Sequence, residues 1–308
     1  MTRQTYPIAR YHFLFEVTQT IRLPEYAGSM LRGAFGQALR RTACMVREKN
    51  CKDCPLFRTC PYTAIFEAPA PQTHSLQAFS QIPAPYIIEP PEWGMHIYHP
   101  GEPLAFSMVL VGKALEHLAL VTYAWQRAFD REVGHGKARL NALYIETPTG
   151  KEKIYDGTSQ TIIDHDPRLD IVIEPVASAR LTFTTPLRLQ DNGHALPPAK
   201  LTARRFMMAL IRRIALLSEF HMDSPINTDF HALSQQAEQI QDARELTWRD
   251  WTRYSSRQRQ TMQLGGVIGT WTMKDIPESC MAYLHLGQWL HVGKNATFGL
   301  GQYKMEKA

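Results

Sequence analysis

FDREVGHGKARLNALYIE at residues 129–146 and LGQWLHVGKNATFGLGQYKME at residues 286–306 follow the same order of elements. Each places glycine and lysine just before a segment of strand-like composition. Upstream of both, an alternating stretch rich in β-branched and aromatic residues predicts a strand, and apolar residues at helical spacing then predict a helix. This internal repeat is weak in residue identity but clear in element order, and it is the main evidence for the fold.

The remaining pattern completes two similar units. Proline-dense residues 68–103 predict irregular extended chain with short strands, and a polar region continues to about residue 245. Residues 279–291 fit a short strand or a helix. The pattern places strands at 6–23, 104–111, 138–147, 180–189, 264–273 and 302–306, and helices at 26–46, 114–131 and 201–221. We expect an α+β fold of two tandem ferredoxin-like (β-α-β-β-α-β, RRM-like) units.

The length and composition are those of a globular protein. The 308 residues fit one large domain or two of medium size. Apolar residues make up 44% and charged residues 20%, which argues against global disorder. The most apolar helical run, residues 206–217, contains Arg212 and Arg213 and is too short for a membrane span of about 18 residues. Because the N-terminus also lacks a signal-peptide pattern, we expect a cytoplasmic protein without a membrane partner.

The net charge of +5 is unevenly spread along the chain. Residues 1–60 carry ten Lys/Arg against four Asp/Glu, residues 61–180 carry nine against fourteen, and residues 181–308 carry fifteen against eleven. The basic excess therefore lies at the two ends. If those ends meet in space they form a positive surface that suits a polyanion; otherwise the charges are solvated surface groups without a ligand.

Four of the five cysteines fall around CKDCPLFRTCPY at residues 51–62. A CxxC pair places two thiolates at one tight turn, and flanking cysteines can complete the tetrahedral shell of a structural zinc ion. Disulfides are not expected in the cytoplasm, so the alternatives are free buried thiols or, with poorer spacing, an iron–sulfur cluster. Cys280 stands alone and predicts core packing. The expected zinc ligands are Cys44, Cys51, Cys54 and Cys60.

WRDWTRYSSRQR at residues 248–259 interleaves arginines with aromatic residues. Guanidinium groups neutralise phosphates and aromatic faces stack on unpaired bases, so this segment predicts RNA contact. If the segment is helical, Arg253 and Arg257 share neighbouring faces. The alternative is an amphipathic segment whose tryptophans lie in the core.

HVGKNATFGLG at residues 291–301 is a glycine-rich loop that matches neither a P-loop nor a dinucleotide-binding motif. Glycines let a backbone approach a phosphate closely, and Lys294 adds a positive charge. A histidine at this place, His291, can move protons during RNA cleavage, for which the 2′-hydroxyl is the internal nucleophile. Otherwise His291 packs or hydrogen-bonds near a strand end.

These motifs resemble the CRISPR-associated repeat-processing endoribonuclease family of the RAMP superfamily. The resemblance spans both ends of the chain, and its N-terminal part is similar to a cysteine-bearing branch of the family. It rests on LGQWLHVGKNATFGLGQY (286–303), WRDWTRYSSRQRQTMQLGG (248–266), LRGAFGQALRRTACM (31–45) and CKDCPLFRTCPYTAIFE (51–67). We expect an N-terminal ferredoxin-like domain at 1–175 with the cysteine knuckle and a C-terminal one at 176–308 with the glycine-rich loop.

The resemblance implies an enzyme that binds the repeat of a long CRISPR transcript and cuts it into guide RNAs. Cleavage in this family proceeds by attack of the 2′-hydroxyl without a metal, and it leaves a 2′,3′-cyclic phosphate and a 5′-hydroxyl. The implied partners are repeat RNA, the guide RNA product and other subunits of a CRISPR effector complex. No cofactor is implied for catalysis; the one expected metal is the structural zinc.

The resemblance also directs the choice of site residues. Many family members carry a catalytic histidine on the first helix, with a tyrosine or lysine nearby, but residues 26–46 contain no histidine. His291 is the candidate in its place, with Lys294 and Tyr254 as helpers, and an arginine-only site is the alternative. The candidate RNA-binding residues are Arg32, Arg40, Arg204, Arg205, Arg212, Arg249, Arg253, Arg257, Arg259, Gly293, Gly299 and Gly301.

Two other functions fit the sequence. A non-catalytic RNA-binding RAMP subunit of a CRISPR effector would share these folds, and the first helix without histidine favours it. A zinc-dependent RNA-binding protein outside CRISPR systems would share the basic segments and the cysteines.

Overall fold

The computed structural model of the protein describes residues 2–70, 82–255 and 260–308, without the side chains of residues 252–255 and 260–263. Its contacts divide the chain into two compact units. The N-terminal unit comprises Tyr6–Leu169 and Leu216–Pro225, and the C-terminal unit comprises Met1–Thr5, Asp170–Ala215 and Ile226–Ala308. The domain boundary at residue 175 stays a prediction. No helix in the described part of the chain is both long and apolar enough to span a membrane.

The elements follow one another as mixed strands and helices. The strands are β1 Thr2–Tyr6, β2 Ile8–Gln19, β3 Ile21–Leu23, β4 Tyr86–Glu89, β5 His96–Tyr98, β6 Pro103–Val111, β7 Lys137–Thr147, β8 Gly150–Asp156, β9 Leu169–Ile173, β10 Ser178–Leu187, β11 Gln190–Asp191, β12 His194–Ala195, β13 Gln241–Ser255, β14 Gln260–Lys274 and β15 Tyr303–Lys307. The helices are α1 Gly28–Ala43, α2 Pro61–Phe66, α3 Leu118–Arg131, α4 Ala203–His221, α5 Phe230–Ala237 and α6 Glu278–Leu290.

The N-terminal unit is built on an antiparallel sheet in the order β4-β6-β2-β7-β8. Its chain order β2-α1-β4-β6-α3-β7 is the β-α-β-β-α-β order, and the first strand lies between the third and the fourth. This is the ferredoxin-like arrangement. Strands β3 and β5 of the same unit form a separate two-stranded antiparallel sheet.

Strand β2 shows how alternation along the sequence builds this unit. Tyr11, Phe13 and Phe15 are fully buried, whereas Arg10 and His12 point to the opposite face of the sheet. The buried side packs against the helices, where Trp125 of α3 lies 5.0 Å from Phe35 of α1 and 4.6 Å from Phe106 of β6 between ring centroids. This aromatic cluster fixes α1 and α3 side by side on the sheet.

The C-terminal unit repeats the arrangement with the order β13-β14-β10-β15. Its chain order is β10-α4-β13-β14-α6-β15, and α5 is added between α4 and β13. Phe183 of β10, Phe206 of α4 and Trp271 of β14 form the aromatic centre of its core. The predicted fold of two ferredoxin-like units is therefore confirmed.

The structure contains two local elements that the sequence did not predict. The polar region before residue 245 contains α5, which Asp229 caps by accepting hydrogen bonds from two backbone N–H groups, and the start of β13. The segment from Trp248 is a strand as far as Ser255, because β14 supplies backbone partners along its whole length. Arg253 therefore lies on a strand, and Arg257 lies outside the described residues.

Candidate nucleic-acid interface

Strands β13 and β14 extend beyond the rest of their sheet. The pairing of β10 with β14 ends at Leu187–Val267, but β13 and β14 continue to pair until Ser255–Gln260. Residues 249–255 and 260–266 therefore form a two-stranded ribbon. Arg249 on this ribbon is exposed, and Arg253 follows it on the same face with its side chain undescribed. Arg257 and Arg259 lie outside the described residues.

The base of the ribbon is locked by a small polar cluster. The Trp248 indole N–H donates to Asp250 Oδ1 over 2.8 Å, and Arg188 Nη1 donates to the carbonyl of Gly265 over 2.6 Å. A Cβ atom at Gly265 would lie 2.3 Å from the Trp248 ring, so any larger residue there would displace this ring. Trp248 nevertheless keeps 38% of its surface exposed, and it remains available to stack on a base.

The glycine-rich loop 291–301 is docked onto the end of β10. Lys294 N–H donates to the Arg188 carbonyl over 2.8 Å, and Gly301 N–H donates to the Pro186 carbonyl over 3.0 Å. Gly293 has φ +90°, and a Cβ there would lie 2.6 Å from the Arg188 carbonyl oxygen. The close approach that these glycines allow is thus to the protein's own backbone. Lys294 itself is exposed.

His291 does not occupy the place that the sequence predicted for a catalytic group. Its side chain is fully buried, and its backbone has φ +54°, the left-handed region that non-glycine residues rarely adopt. In this position it ends helix α6 and starts the loop. A proton donor or acceptor must reach the phosphate, so a fully buried imidazole cannot serve in this conformation. The Tyr254 side chain is not described, and Lys294 lies at the surface.

Arg213 of α4 holds the same junction, and the sequence reasoning missed it. Its Nε donates to the carbonyls of Leu290 over 2.8 Å and of His291 over 3.1 Å. These oxygens belong to the C-terminal end of α6, whose partial negative charge suits a cation. Burial lowers the Arg213 pKa to about 10, so the group remains charged at neutral pH. The available signal was an arginine pair inside an otherwise apolar helix; its neighbour Arg212 is exposed.

Other arginines predicted to bind RNA are engaged within the protein. Arg32 donates to the Tyr86 hydroxyl over 3.1 Å and lies over the Phe66 ring. Arg40 donates to the carbonyls of Glu48 and Lys49 and so holds the start of the cysteine segment. Arg204 pairs with Glu238 over 3.1 Å, and Arg205 with Asp191 over 3.5 Å. These partners compete with a phosphate for the same guanidinium groups.

A groove between α1 and α3, which the sequence did not indicate, is lined by three arginines. It has a volume of about 850 Å³, and we call it the α1–α3 groove. Small residues such as Ala38 and Ala128 form its floor. Its lining also includes the polar residues Gln37, Arg41, Tyr123, Arg127 and Arg131, together with the carboxylates Asp130 and Glu132.

The arginines of the α1–α3 groove are not paired with carboxylates among the described residues. Tyr123, Arg127 and Arg131 follow one another at intervals of four residues and therefore share a face of α3. Tyr123 is 48% exposed. Among the described residues, none forms an ion pair with Arg41, Arg127 or Arg131, whereas Glu132 faces His135 over 3.5 Å. The groove thus combines cationic and aromatic groups that a polyanion with unstacked bases requires.

The four clustered cysteines are not arranged as a metal site here. Cys44 follows the end of α1, Cys51 and Cys54 flank a short 3₁₀ turn, and Cys60 precedes α2. All four are free and half-buried, and among the described residues no group of three or more His, Cys, Asp or Glu side chains is arranged to hold a metal ion. Burial raises the pKa of the Cys51 thiol, with Cys44 and Cys60 among the neighbouring groups that contribute. Cys280 is buried in α6, as predicted.

Comparison with solved structures gives the same fold over nearly the whole chain. Thermus thermophilus Cas6 (TTHB231), solved as a product complex, is 15% identical with a TM-score of 0.59 and covers 97% of this chain and 100% of its own. A RAMP protein binding different RNA substrates is 9% identical with a TM-score of 0.51 and covers 97% and 99%. A Cas6-RT-Cas1–Cas2 complex matches 98% of this chain at 14% identity and a TM-score of 0.53. At these identities the likeness shows the fold alone.

Comparison with protein families adds the class of activity. No curated protein matches the chain in sequence. One family model, described as an N-terminal domain, matches residues 6–167. A second, described as CRISPR-associated endoribonuclease Cas6, matches residues 181–303, which include the ribbon and the glycine-rich loop. This part of the chain belongs to the Cas6 family of CRISPR-associated endoribonucleases.

Proposed function

We propose that the protein cuts CRISPR precursor RNA within each repeat by attack of the 2′-hydroxyl on the adjacent phosphate. The reaction needs no metal in this proposal and leaves a 2′,3′-cyclic phosphate and a 5′-hydroxyl. The observation that carries the proposal is the Cas6 match over residues 181–303, which ends on the docked glycine-rich loop. The guide RNA product and other effector subunits are the expected partners.

The chemistry needs three contributions at one phosphate. A base removes the 2′-hydroxyl proton, an acid protonates the 5′-oxygen, and cations stabilise the charged transition state. Burial of His291 argues against its role as base or acid. We place the reaction instead at the α1–α3 groove, where Arg127 and Arg41 would stabilise charge, the Tyr123 hydroxyl would act as the acid that protonates the 5′-oxygen, and solvent water would accept the 2′-hydroxyl proton. This develops the arginine-based alternative for a first helix without histidine.

RNA binding in this proposal is shared between the groove and the C-terminal unit. Arg249 and Arg253 of the ribbon would neutralise phosphates, joined by Arg257, Arg259 and the exposed Lys294. Trp248 supplies an exposed aromatic face at the base of the ribbon for stacking on an unpaired base. Arg212 is a further exposed cation on α4.

A cleavage assay tests the proposed chemistry. Labelled repeat RNA is incubated with the protein in EDTA, beside the same RNA with one 2′-deoxy nucleotide at the cut position. We expect cleavage to survive EDTA and to stop with the deoxy nucleotide, because the nucleophile is then missing. Tight binding without cleavage of either RNA would instead support the non-catalytic RAMP subunit, which the absence of histidine from α1 favours.

Variants test the location of the active site. We expect Arg127→Ala and Tyr123→Phe to slow single-turnover cleavage by roughly 10²–10⁴, the usual contribution of one positioned catalytic group. The matched control is Arg22→Ala, an exposed arginine of the same unit outside the groove. If His291→Ala slows cleavage by this amount while Tyr123→Phe does not, the active site is at the glycine-rich loop and the groove assignment is wrong.

Zinc at Cys44, Cys51, Cys54 and Cys60 stays a proposal carried by their spacing alone. The measurement is metal content after dialysis. One zinc per chain in the wild type, lost in Cys54→Ser, supports the site, and a metal-free wild type refutes it.

A further inference from the structure

A second, smaller cavity lies in the N-terminal unit and takes no part in the proposed cleavage. It has a volume of about 190 Å³, and we call it the His221 cavity. Its walls are largely apolar, with Ile65, Pro85 and Phe220 among them. Four basic residues also line it: Arg58, Lys113, His117 and His221. No carboxylate is among its described lining residues.

His221 is held in a defined orientation and tautomer. Its Nε2 lies 2.7 Å from the carbonyl oxygen of Pro83. A carbonyl can only accept, so Nε2 carries the hydrogen, and Nδ1 of the neutral ring is left as an acceptor. Burial lowers the pKa of His221, which keeps the ring neutral at physiological pH. Among the described residues, none donates a hydrogen bond to Nδ1.

The backbone at His221 is fixed as tightly as the ring. Gly112 has φ +56°, and a Cβ atom there would lie 1.7 Å from the His221 carbonyl oxygen. Only glycine permits this approach of the two chain segments. The imidazole therefore lines a preformed cavity and does not need to be ordered when a ligand binds.

The size and chemistry of the cavity suit one flat group. Its volume is below the roughly 300–1,000 Å³ of pockets for drug-sized ligands, so it holds a ring system and not a whole nucleotide. The Phe220 ring, the prolines and the apolar walls favour a planar base, and His221 Nδ1 favours one that presents an N–H donor. Arg58 and Lys113 are exposed at the surface, where a phosphate can reach them; Asp223 lies 3.7 Å from Lys113.

We propose that the His221 cavity binds a single unstacked nucleobase of the bound RNA, and that Arg58 and Lys113 contact the adjoining phosphate. Sequence-reading proteins commonly splay out single bases of this kind and hydrogen-bond their edges. The inference rests on the proposed function only in that the ligand is RNA. It adds a base-specific contact at a site separate from the α1–α3 groove.

The test is an abasic scan of the RNA combined with cavity variants. Each nucleotide of the repeat and its flanks is replaced in turn by an abasic site, and affinity is measured for the wild type and for His117→Ala, Arg58→Ala and His221→Phe. The wild type should lose about 5- to 100-fold in affinity at one position, the usual effect of losing one stacked base. In His221→Phe, introducing the same abasic site should lower the affinity for RNA only slightly further. The base and the cavity contact each other, so losing either one removes the same interaction.

Controls separate this proposal from the others. Arg22→Ala should retain the wild-type scan, and thermal unfolding identifies any variant that fails to fold; the exposed Arg58→Ala keeps the test valid if His221→Phe does not fold. If every abasic site lowers the affinity of the folded cavity variants as much as that of the wild type, the cavity does not hold a base. Cleavage of the intact RNA in the same samples reports on the proposed function independently, since the variants lie outside the groove.

Discussion

Arg213 is a half-buried charge whose partners are backbone carbonyls. Its single Nε–H is shared between the carbonyls of Leu290 and His291 in a bifurcated hydrogen bond, which ties α4 to the end of α6. This explains how a non-glycine residue is held at φ +54° where the glycine-rich loop begins. A sequence cannot reveal such a cap, because the two helices are far apart along the chain.

Replacing Arg213 should release the loop. We expect Arg213→Met to lower the free energy of unfolding by about 1.5–3 kcal/mol, since one bifurcated charge-assisted hydrogen bond is lost from a half-buried site. Urea unfolding of the full chain measures the change. Arg212→Ala removes the exposed neighbour and should change stability by less than about 0.5 kcal/mol. Equal losses in both variants would contradict the capping role.

Glu146 makes a second residue-scale prediction, about acid stability. Burial alone would raise its pKa, but hydrogen bonds from His12 and Arg10 and their charges outweigh burial and lower the pKa to about 2. Arg10 also pairs with Glu89 over 2.9 Å, and His12 Nδ1 lies 2.7 Å from Ser107 Oγ. A carboxyl with a lowered pKa stabilises the fold above its ordinary value of 4.5, and this stabilisation disappears as the pH falls towards 2.

The comparison that checks this uses Glu146→Gln. The wild type should be more stable than the variant at pH 7, and the difference should shrink between about pH 5 and pH 2 in acid-denaturation curves. Glu152→Gln, an exposed carboxyl of the same sheet, is the control and should follow the wild type. A wild-type advantage that does not change with pH would show that Glu146 contributes by packing alone.

At the scale of elements, the β13–β14 ribbon is the clearest candidate for contact with RNA outside the groove. The ribbon has no third strand beside it, and two-stranded ribbons are only marginally stable in water. Its cationic residues therefore have no evident role in sheet packing. Arg249 and Arg253 are four residues apart along β13, and this even spacing places both positions on the same face of the strand.

Arg249→Ala should weaken RNA binding without preventing cleavage at saturating protein. Losing one phosphate contact should reduce the slope of log affinity against log salt by about 0.7–0.9. Fluorescence anisotropy at several salt concentrations measures this slope. Lys307→Ala, an exposed cation of β15, is the control. An unchanged slope in Arg249→Ala would remove the ribbon residue from the RNA contact.

At the scale of the whole molecule, the order of elements could be predicted because apolar periodicity is local. Each strand or helix that buries one face shows the periodicity of its own structure in the spacing of its apolar residues. The order of these elements predicted two ferredoxin-like units. The sequence pattern did not predict strand β13 because it is an edge strand rich in charged residues, among them the ion pair of Arg244 and Asp242. Helix α5 is short and equally polar.

The site was harder to predict because it depends on packing between distant segments. The α1–α3 groove is lined by residues of two helices that are far apart along the chain, and the glycine-rich loop is held by backbone hydrogen bonds to the end of β10. The number of arginines alone also overestimated the RNA-binding residues, since Arg32 and Arg40 form hydrogen bonds within the protein. Which cations are free for a ligand is a property of the folded chain.

The most direct test of the account is the chemistry of the cut ends. Repeat RNA is digested in EDTA and the fragments are weighed by mass spectrometry. The account predicts an upstream fragment that ends in a 2′,3′-cyclic phosphate, one water lighter than the 3′-phosphate, and a downstream fragment that begins with a 5′-hydroxyl. An upstream 3′-hydroxyl with a downstream 5′-phosphate, or cleavage that stops in EDTA, would contradict it.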